Sequence, residues 1–392
     1  APLSVFKTDA FNRSAISPYR LKLRYFYIFM RYTCNNNYLE SEKMNKLFII
    51  ILIFLFNSVA IAHDDNNCDV LKNYDFSQFD SWKNTVVQNA SQYSLDSSFV
   101  ANLIEPYSVN KNVIKNDKCQ PEFTLTFSEY LEKRLSDLRI KNGLNKISKI
   151  SNLLDKIQSK YEVQSRFIVS IWGLETAYGE ITGNYPVIES LLTMSYDERR
   201  RKYFTKELYK SLTIIKEGHI NIENFKGSWA GAMGQNQFMP SSFLAYAQDF
   251  DGDGKKNIWT NEADALASIG RYLKGVGSNK WNDDYTWGRE VIPPSNIENL
   301  EPELFIKRTK GCLAIKKLSK KLPLSDFSDL GFLSMDAKKL PSINLNSYLI
   351  KMGRVKSDYR YFIVYNNYLN ILSYNCSNYY GLSVGLLSDK FK

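Results

Sequence analysis

The stretch whose reading decides the fold is Phe167-Ile168-Val169-Ser170-Ile171-Trp172-Gly173-Leu174-Glu175-Thr176-Ala177-Tyr178-Gly179. Ile168, Ile171, Trp172 and Glu175 recur at i, i+3, i+4 and i+7, which places them on one face of a helix. An acidic residue therefore ends an apolar stripe. If it is desolvated there, its charged form is disfavoured and its pKa rises. A carboxylic acid that stays protonated near neutral pH is what a general acid requires. Spacing alone favours the blander alternative, a glutamate facing water where the stripe stops.

Two clusters follow downstream. Gly227-Ser228-Trp229-Ala230-Gly231-Ala232-Met233-Gly234-Gln235-Asn236-Gln237-Phe238-Met239-Pro240 is rich in small residues that allow close backbone approach. Ser228, Gln235 and Gln237 offer uncharged hydrogen-bonding groups suited to the hydroxyls and amides of a sugar. A glycine-rich connector between helices fits the pattern equally well. Asp249-Phe250-Asp251-Gly252-Asp253-Gly254 matches the first half of an EF-hand loop, with carboxylates at positions one, three and five and glycine at six. Lys255 would supply its carbonyl at position seven. Thr260 stands at position twelve, where a glutamate is usual, and Glu262 or Asp264 would have to reach back. Three aspartates within five residues repel one another without a cation, so calcium is favoured over a merely solvated loop.

The residue inventory narrows the chemistry. The chain holds only two histidines, His63 and His219, and no nucleophile motif accompanies His219. Histidine-based metal sites and serine or cysteine triads are excluded on this ground. Carboxylate chemistry remains. The 392 residues carry 51 Lys+Arg against 41 Asp+Glu, a net charge of +10. Such a charge draws a protein towards polyanions, but no basic stripe or nucleic-acid motif selects nucleic acid as the partner.

Met44-Asn45-Lys46, the apolar run 47–56 and the small-residue site Ala60-Ile61-Ala62 have the three-part form of a secretory signal. Residues 1–43 are expected to be an untranslated or disordered leader, and 44–62 a signal peptide. Without residues 1–62 the balance is 43 basic to 38 acidic residues. The apolar run is too short for a comfortable membrane span, and no lipobox precedes Cys68. The mature chain is thus expected to be exported without a transmembrane or lipid anchor. Cys34 lies in the leader. Cys68, Cys119, Cys312 and Cys376 form an even set in an exported chain, where disulfides are permitted and three pairings remain open.

Periodicity predicts one amphipathic helix over 127–147, with Tyr130, Leu131, Leu135, Leu138 and Ile140 on its apolar side. A second is expected over 151–161, capped by Ser151 or Asn152. Asn184-Tyr185-Pro186 breaks the chain, and Pro240-Ser241-Ser242 is a helix start. From 281 to 361, prolines interrupt short apolar runs such as Cys312-Leu313-Ala314-Ile315, which read as strands and loops. From 361 to 387 the chain is expected to return to helix.

In consistent order over about 81–384, these motifs resemble the lytic murein transglycosylase B family, glycoside hydrolase family 103. The resemblance rests on 171–179, Gly183, Pro186-Val187-Ile188, the 227–242 cluster and the acidic loop. It also rests on Gln120-Pro121-Glu122-Phe123-Thr124 and Tyr374-Asn375-Cys376-Ser377-Asn378-Tyr379-Tyr380. It implies an α+β, predominantly α fold: a lysozyme-like core at 164–280, a helical domain at 66–163, a small β domain at 281–360 and a C-terminal return at 361–392. It implies non-hydrolytic cleavage of peptidoglycan between N-acetylmuramic acid and N-acetylglucosamine, leaving 1,6-anhydro ends. Glu175 matches the single catalytic acid/base. Ser228, Gln237, Asn375 and Tyr380 match groups lining the saccharide groove, where Gln235 and Tyr178 are also expected. Asp249, Asp251, Asp253, Lys255 and Asp264 match a structural calcium site; the chemistry itself needs no cofactor. The implied setting is the periplasm, with glycan strands as partner, wall synthesis or secretion machinery as further candidates, and a monomeric chain.

Two departures stand out. Asn236 replaces the usual proline of Gly-Gln-Pro-Gln, which is expected to loosen that loop. One extra residue separates the acidic loop from Asp264. Two other functions fit the same residues. A hydrolytic muramidase would need a second carboxylate, for which Asp283 or Asp284 are nearest in sequence. A catalytically idle wall-binding scaffold would need none.

Overall fold

The computed structural model describes residues 71, 74–119, 125–276 and 279–392. The leader, the signal-like segment 44–62, Cys34, Cys68 and the 120–124 motif lie outside the described residues.

Local capping sets most of the early helices. After α1 (Phe79–Gln88), α2 (Ser97–Ile104) starts at Asp96, whose carboxylate accepts from Phe99 N at 2.9 Å. The Asn110 side chain caps α3 (Lys111–Lys118), and a Thr126–Glu129 capping box starts α4 (Phe127–Arg134). These side chains occupy N–H groups that a first helical turn leaves without partners. The single helix expected over 127–147 is broken. Ser136 accepts from Arg139 N and starts α5 (Asp137–Lys149) anew, because a serine cap competes with continuing the helix. The break takes Leu138 off the apolar side, leaving it 60% exposed. α6 (Ser151–Tyr161) follows as expected, but Ile150 holds the cap position with no side-chain cap from Ser151 or Asn152.

α7 (Ser165–Thr176) is buried at every residue from Phe167 to Thr176. A helix enclosed on all sides belongs at the centre of a core. β1 (Tyr185–Pro186), α8 (Val187–Tyr196), α9 (Arg201–Lys216) and β2 (Lys226–Gly227) follow, with β1 and β2 paired antiparallel. The α8–α9 turn is tied to α3 by ion pairs of Asp117 with Arg199 and Arg200, and of Lys118 with Asp197. α10 (Pro240–Tyr246) has its proline in the first turn, and Ser241 N donates to the buried Glu207 carboxylate at 2.8 Å. α11 (Glu262–Lys274) is capped by Asn261, and β3 (Gly275–Val276) pairs with β4 (Asn279–Lys280).

The proline-rich segment forms a sheet with short helices inserted: β5 (Gly288–Ile292), α12 (Ile297–Leu304), α13 (Leu313–Lys316), β6 (Leu322–Pro323), α14 (Leu324–Asp329), β7 (Leu333–Ser334), β8 (Asn346–Met352) and β9 (Arg360–Tyr365). Strand order is β6-β8-β9-β5-β7, antiparallel throughout. Residues 312–315, expected among short strands and loops, instead form the start of α13, with Cys312 at its cap position. α15 (Asn366–Tyr374) and α16 (Asn378–Asp389) complete the chain. The helical return expected from Tyr361 begins at Asn366, because Tyr361 to Tyr365 are needed to finish β9.

The sheet is buried on both faces, and alternation along the strands sorts its residues. Tyr348, Ile350, Met352, Phe362 and Val364 join the principal core shared with the helices. Leu349, Tyr361, Ile363 and Tyr365 face a smaller cluster with Leu324, Phe327 and Phe332. α7 packs against α16, α11, α5 and α6, so elements from residue 137 to residue 389 converge on it. Cys312 and Cys376 form a disulfide that ties the α13 entrance to the α15–α16 connection. Cys119 is also disulfide-bonded. No helix among the described residues is long and apolar enough to cross a membrane.

Candidate active site

Glu175 occupies the last turn of α7 and is 2% exposed. It does not face water as spacing alone suggested; the convergence of other elements on α7 buries it. Three successive residues then adopt left-handed backbone: Ala177 (φ 50°), Tyr178 (φ 65°) and Gly179 (φ 87°). Only glycine takes that region freely, and the two others cost about 1–2 kcal/mol each. Contacts around the turn hold it. Ala177 N donates to Gly173 O, Tyr178 N to Trp172 O, and Gly179 N to Thr176 Oγ1. The Tyr178 hydroxyl donates to Arg139 O at 2.8 Å, and its ring lies against Gly173 and edge-on to Trp172. The reversal leaves Glu175 at the helix end with its neighbours fixed.

Tyr380, near the start of α16, donates its hydroxyl to Glu175 Oε1 at 2.8 Å. Burial, and then the nearby Glu175 charge, push the phenols of Tyr380 and Tyr374 well above their ordinary range. Both remain protonated donors at any working pH. Tyr374 donates to the backbone oxygen of Asn236, so the α15–α16 region touches both Glu175 and the 227–240 loop.

In that loop, Ser228 Oγ accepts from Ala232 N at 3.0 Å. Gln237 has left-handed backbone (φ 50°), and its Nε2 donates to Thr182 O and Gly234 O. Gln237 Oε1 and both amide atoms of Asn375 are buried without a hydrogen-bond partner. Buried amide atoms normally have partners, so these retain unused capacity for a ligand's hydroxyls or amides. Asn236, expected to loosen the loop, is fully buried; its Nδ2 donates to Ala265 O at 3.4 Å. Gln235 and Tyr178, read from the sequence as groove groups, have their polar atoms committed within the protein. Gln235 Oε1 accepts from Trp172 Nε1 at 3.0 Å and its Nε2 donates to Trp259 O. Sequence reading missed Tyr374, whose adjacency to Asn375 was the available signal.

Asp283 and Asp284 lie at the other end of α7. Gln164, just before that helix, donates to the backbone oxygens of Asp283 and Tyr285. Eleven residues of helix, roughly 16 Å, separate Gln164 from Glu175. Paired glycosidase carboxylates stand about 5–10 Å apart, so these aspartates do not supply the second carboxylate of a hydrolase.

The acidic loop brings Asp249, Asp251 and Asp264 together, each offering an oxygen within 4.8 Å of the others. Asp264 is buried, and burial raises its pKa first, with Asp251 and Asp249 adding to the rise. Its oxygens accept from Phe250 N and Asn257 N at 2.7 Å. Asp253 stays outside this group and accepts from Lys255 N. The three clustered carboxylates fit a hard, oxygen-ligated cation such as calcium.

Comparison with known proteins gives a consistent family. The family described as "Transglycosylase SLT domain" matches residues 78–389. The membrane-bound lytic murein transglycosylase B of Escherichia coli K12 is 30% identical over 263 residues, 66% of each chain. The chain thus spans just under two thirds of that relative. SltB3 from Pseudomonas aeruginosa, solved in complex with NAG-anhNAM-pentapeptide, is 33% identical, with TM-score 0.70 and 80% of both chains covered. The Escherichia coli lytic transglycosylase Slt35, solved in complex with calcium, is 25% identical, with TM-score 0.65 over 79% of this chain and 92% of that one.

Proposed function

The chain belongs to the transglycosylase SLT domain family, and on that premise we propose that it is a lytic murein transglycosylase that cuts peptidoglycan between N-acetylmuramic acid and N-acetylglucosamine, with Glu175 as its one acid/base. The observation that carries this reading is the Glu175 carboxylate, buried at the end of α7 and accepting from the protonated phenol of Tyr380, while the aspartates nominated for hydrolysis lie at the far end of α7.

One carboxylate suffices if the sugar supplies the nucleophile. Glu175 gives its proton to the glycosidic oxygen as the bond to C1 breaks. The resulting carboxylate then takes the proton of the muramic acid 6-hydroxyl as O6 bonds to C1. No water enters, and the muramic acid is released as the 1,6-anhydro sugar. Ring closure is intramolecular and gains from proximity. Tyr380 orients the carboxylate throughout and stabilises its charged form between the two steps. Gln237, Asn375 and Ser228 are the groove groups suited to sugar hydroxyls and acetamides. The anhNAM ligand in the SltB3 complex is the kind of product this chemistry makes.

Asp249, Asp251 and Asp264 are the proposed calcium ligands, supported by their clustering and by the calcium complex of Slt35. The ion would brace the loop and would take no part in bond cleavage. Export through segment 44–62 would place the enzyme in the periplasm, beside its substrate.

A digest of purified peptidoglycan, read by mass spectrometry, tests the reaction. The expected muropeptides are one water lighter than hydrolytic products and absent with Glu175→Gln. Hydrated products would establish a muramidase. Wall binding without any product would establish a scaffold.

A further inference from the structure

Two lines of contact run from the acidic loop to the turn carrying Glu175. In the first, Ile258 O accepts from Gln235 N at 2.8 Å, and Trp259 O accepts from Gln235 Nε2 at 3.4 Å. Gln235 passes these contacts on: its Oε1 accepts from Trp172 Nε1 at 3.0 Å and its backbone oxygen from Thr176 Oγ1 at 2.7 Å. In the second, Glu262 at the start of α11 pairs with Lys146 at 2.8 Å, and that ammonium sits 4.9 Å from the ring centre of Trp172.

Both lines end beside Glu175. Trp172 precedes it by three residues on the same helix face, and Thr176 follows it directly. Gln235 also packs on the left-handed turn: a Cβ added to Gly179 would stand 2.5 Å from its Oε1. Gln235 is 4% exposed, and each of its polar atoms has a partner within the protein.

We propose that Gln235 is a positioning residue that carries the state of the acidic loop to Glu175. When the loop is braced, Ile258 and Trp259 fix Gln235, and Gln235 fixes Trp172, Thr176 and the turn at 177–179. When the loop loosens, that restraint is lost and the carboxyl leaves its productive alignment. The inference rests on the reading of Glu175 as the acid and of the loop as a calcium site.

The test compares the purified protein with its Gln235→Leu variant, with calcium and after chelation, on glycan strands released from peptidoglycan. Chelation should lower kcat of the unsubstituted protein about tenfold, and Gln235→Leu should lower it about 10- to 100-fold with KM within about twofold. In Gln235→Leu, chelation should cause at most about twofold further loss, passed on by the Glu262–Lys146 pair and the backbone bonds that the substitution leaves in place. The indole N–H resonance of Trp172, identified by its disappearance in Trp172→Phe, should move on calcium addition in the unsubstituted protein and by less than half as much in the variant. Calorimetric calcium affinity should be equal in both.

A raised KM with kcat retained would make Gln235 a substrate contact and overturn the proposal. Losses from substitution and chelation that multiply would overturn it too. If Gln235→Leu does not fold, Gln235→Glu keeps the acceptor for Trp172 and loses the donor to Trp259; the same reduced response to calcium is expected, and its absence is decisive. Calcium binding with an unresponsive Trp172 overturns the transmission alone. No calcium binding to the unsubstituted protein overturns the loop reading as well. Loss of lyase product as the enzyme's reaction, seen in the digest above, is a separate failure.

Discussion

Glu175 and Asp251 both stand in conspicuous acidic motifs, yet the fold treats them in opposite ways. Glu175 lies inside the protein, 2% exposed, with a phenol donating to it. Asp251 lies in an exposed loop among other carboxylates and takes its contacts from nearby backbone and from Asn261. A buried carboxyl exchanges stability for reactivity, because its charged form is poorly solvated. Clustered carboxylates repel one another until a cation joins them. The difference shows that an acidic residue's role follows from what surrounds it.

The comparison can be broken by substitution. Glu175→Gln should lower turnover on the order of 10³-fold, while the melting temperature holds or rises, since the amide removes a buried ionisable group and keeps its shape. A fall of many degrees in that variant would make Glu175 a structural residue. Removing calcium should do the reverse: thermal stability should fall by about 3 kcal/mol when the ion had been present at a hundred times its dissociation constant. Asp249→Asn should abolish that calcium-dependent shift, as read by calorimetry. Equal melting with and without the ion would show that the carboxylates need no cation.

Finer changes sharpen the contrast. Tyr380→Phe keeps the ring but removes the donor to Glu175, and should cost about tenfold in kcat. A stronger loss of binding than of turnover would move Tyr380 to a purely substrate-facing role. The smallest effect is expected at His219, whose Nδ1 accepts from Lys256 N beside the loop. Burial, and then Lys256, lower its pKa below 6.5. The folded state thus prefers neutral imidazole. The stability this contributes is present above about pH 6.5 and is lost as pH falls through the lowered value. His219→Gln should flatten the decline in melting temperature between pH 7 and 5; an unchanged decline would show that other groups govern it.

Much of the site was legible in the sequence because its signals are local. The 3.6-residue period of Ile168, Ile171 and Trp172 marked a helix, and Pro240 marked a helix start. The spacing of the three loop aspartates marked a turn of carboxylates. The misread elements were those where local signals compete. Ser136 broke a continuous apolar period by capping a new helix, and β9 kept Tyr361 to Tyr365 in a strand although those residues suit a buried helix equally. Gln235 and Tyr178 looked like ligand groups because polar type and motif position cannot show where a side chain points.

By itself the sequence determined the helical character of the 165–176 segment, the near absence of histidine chemistry and the acidic loop, all properties of composition or of neighbours in the chain. Only the tertiary structure decided that Glu175 is buried, that Tyr380 reaches it across 205 residues, that Cys312 pairs with Cys376, and that Asp264 joins Asp249 and Asp251 while Asp253 does not. The physical reason is that desolvation, hydrogen bonding and charge repulsion depend on distance in space, and packing around α7 sets those distances among residues far apart in the chain.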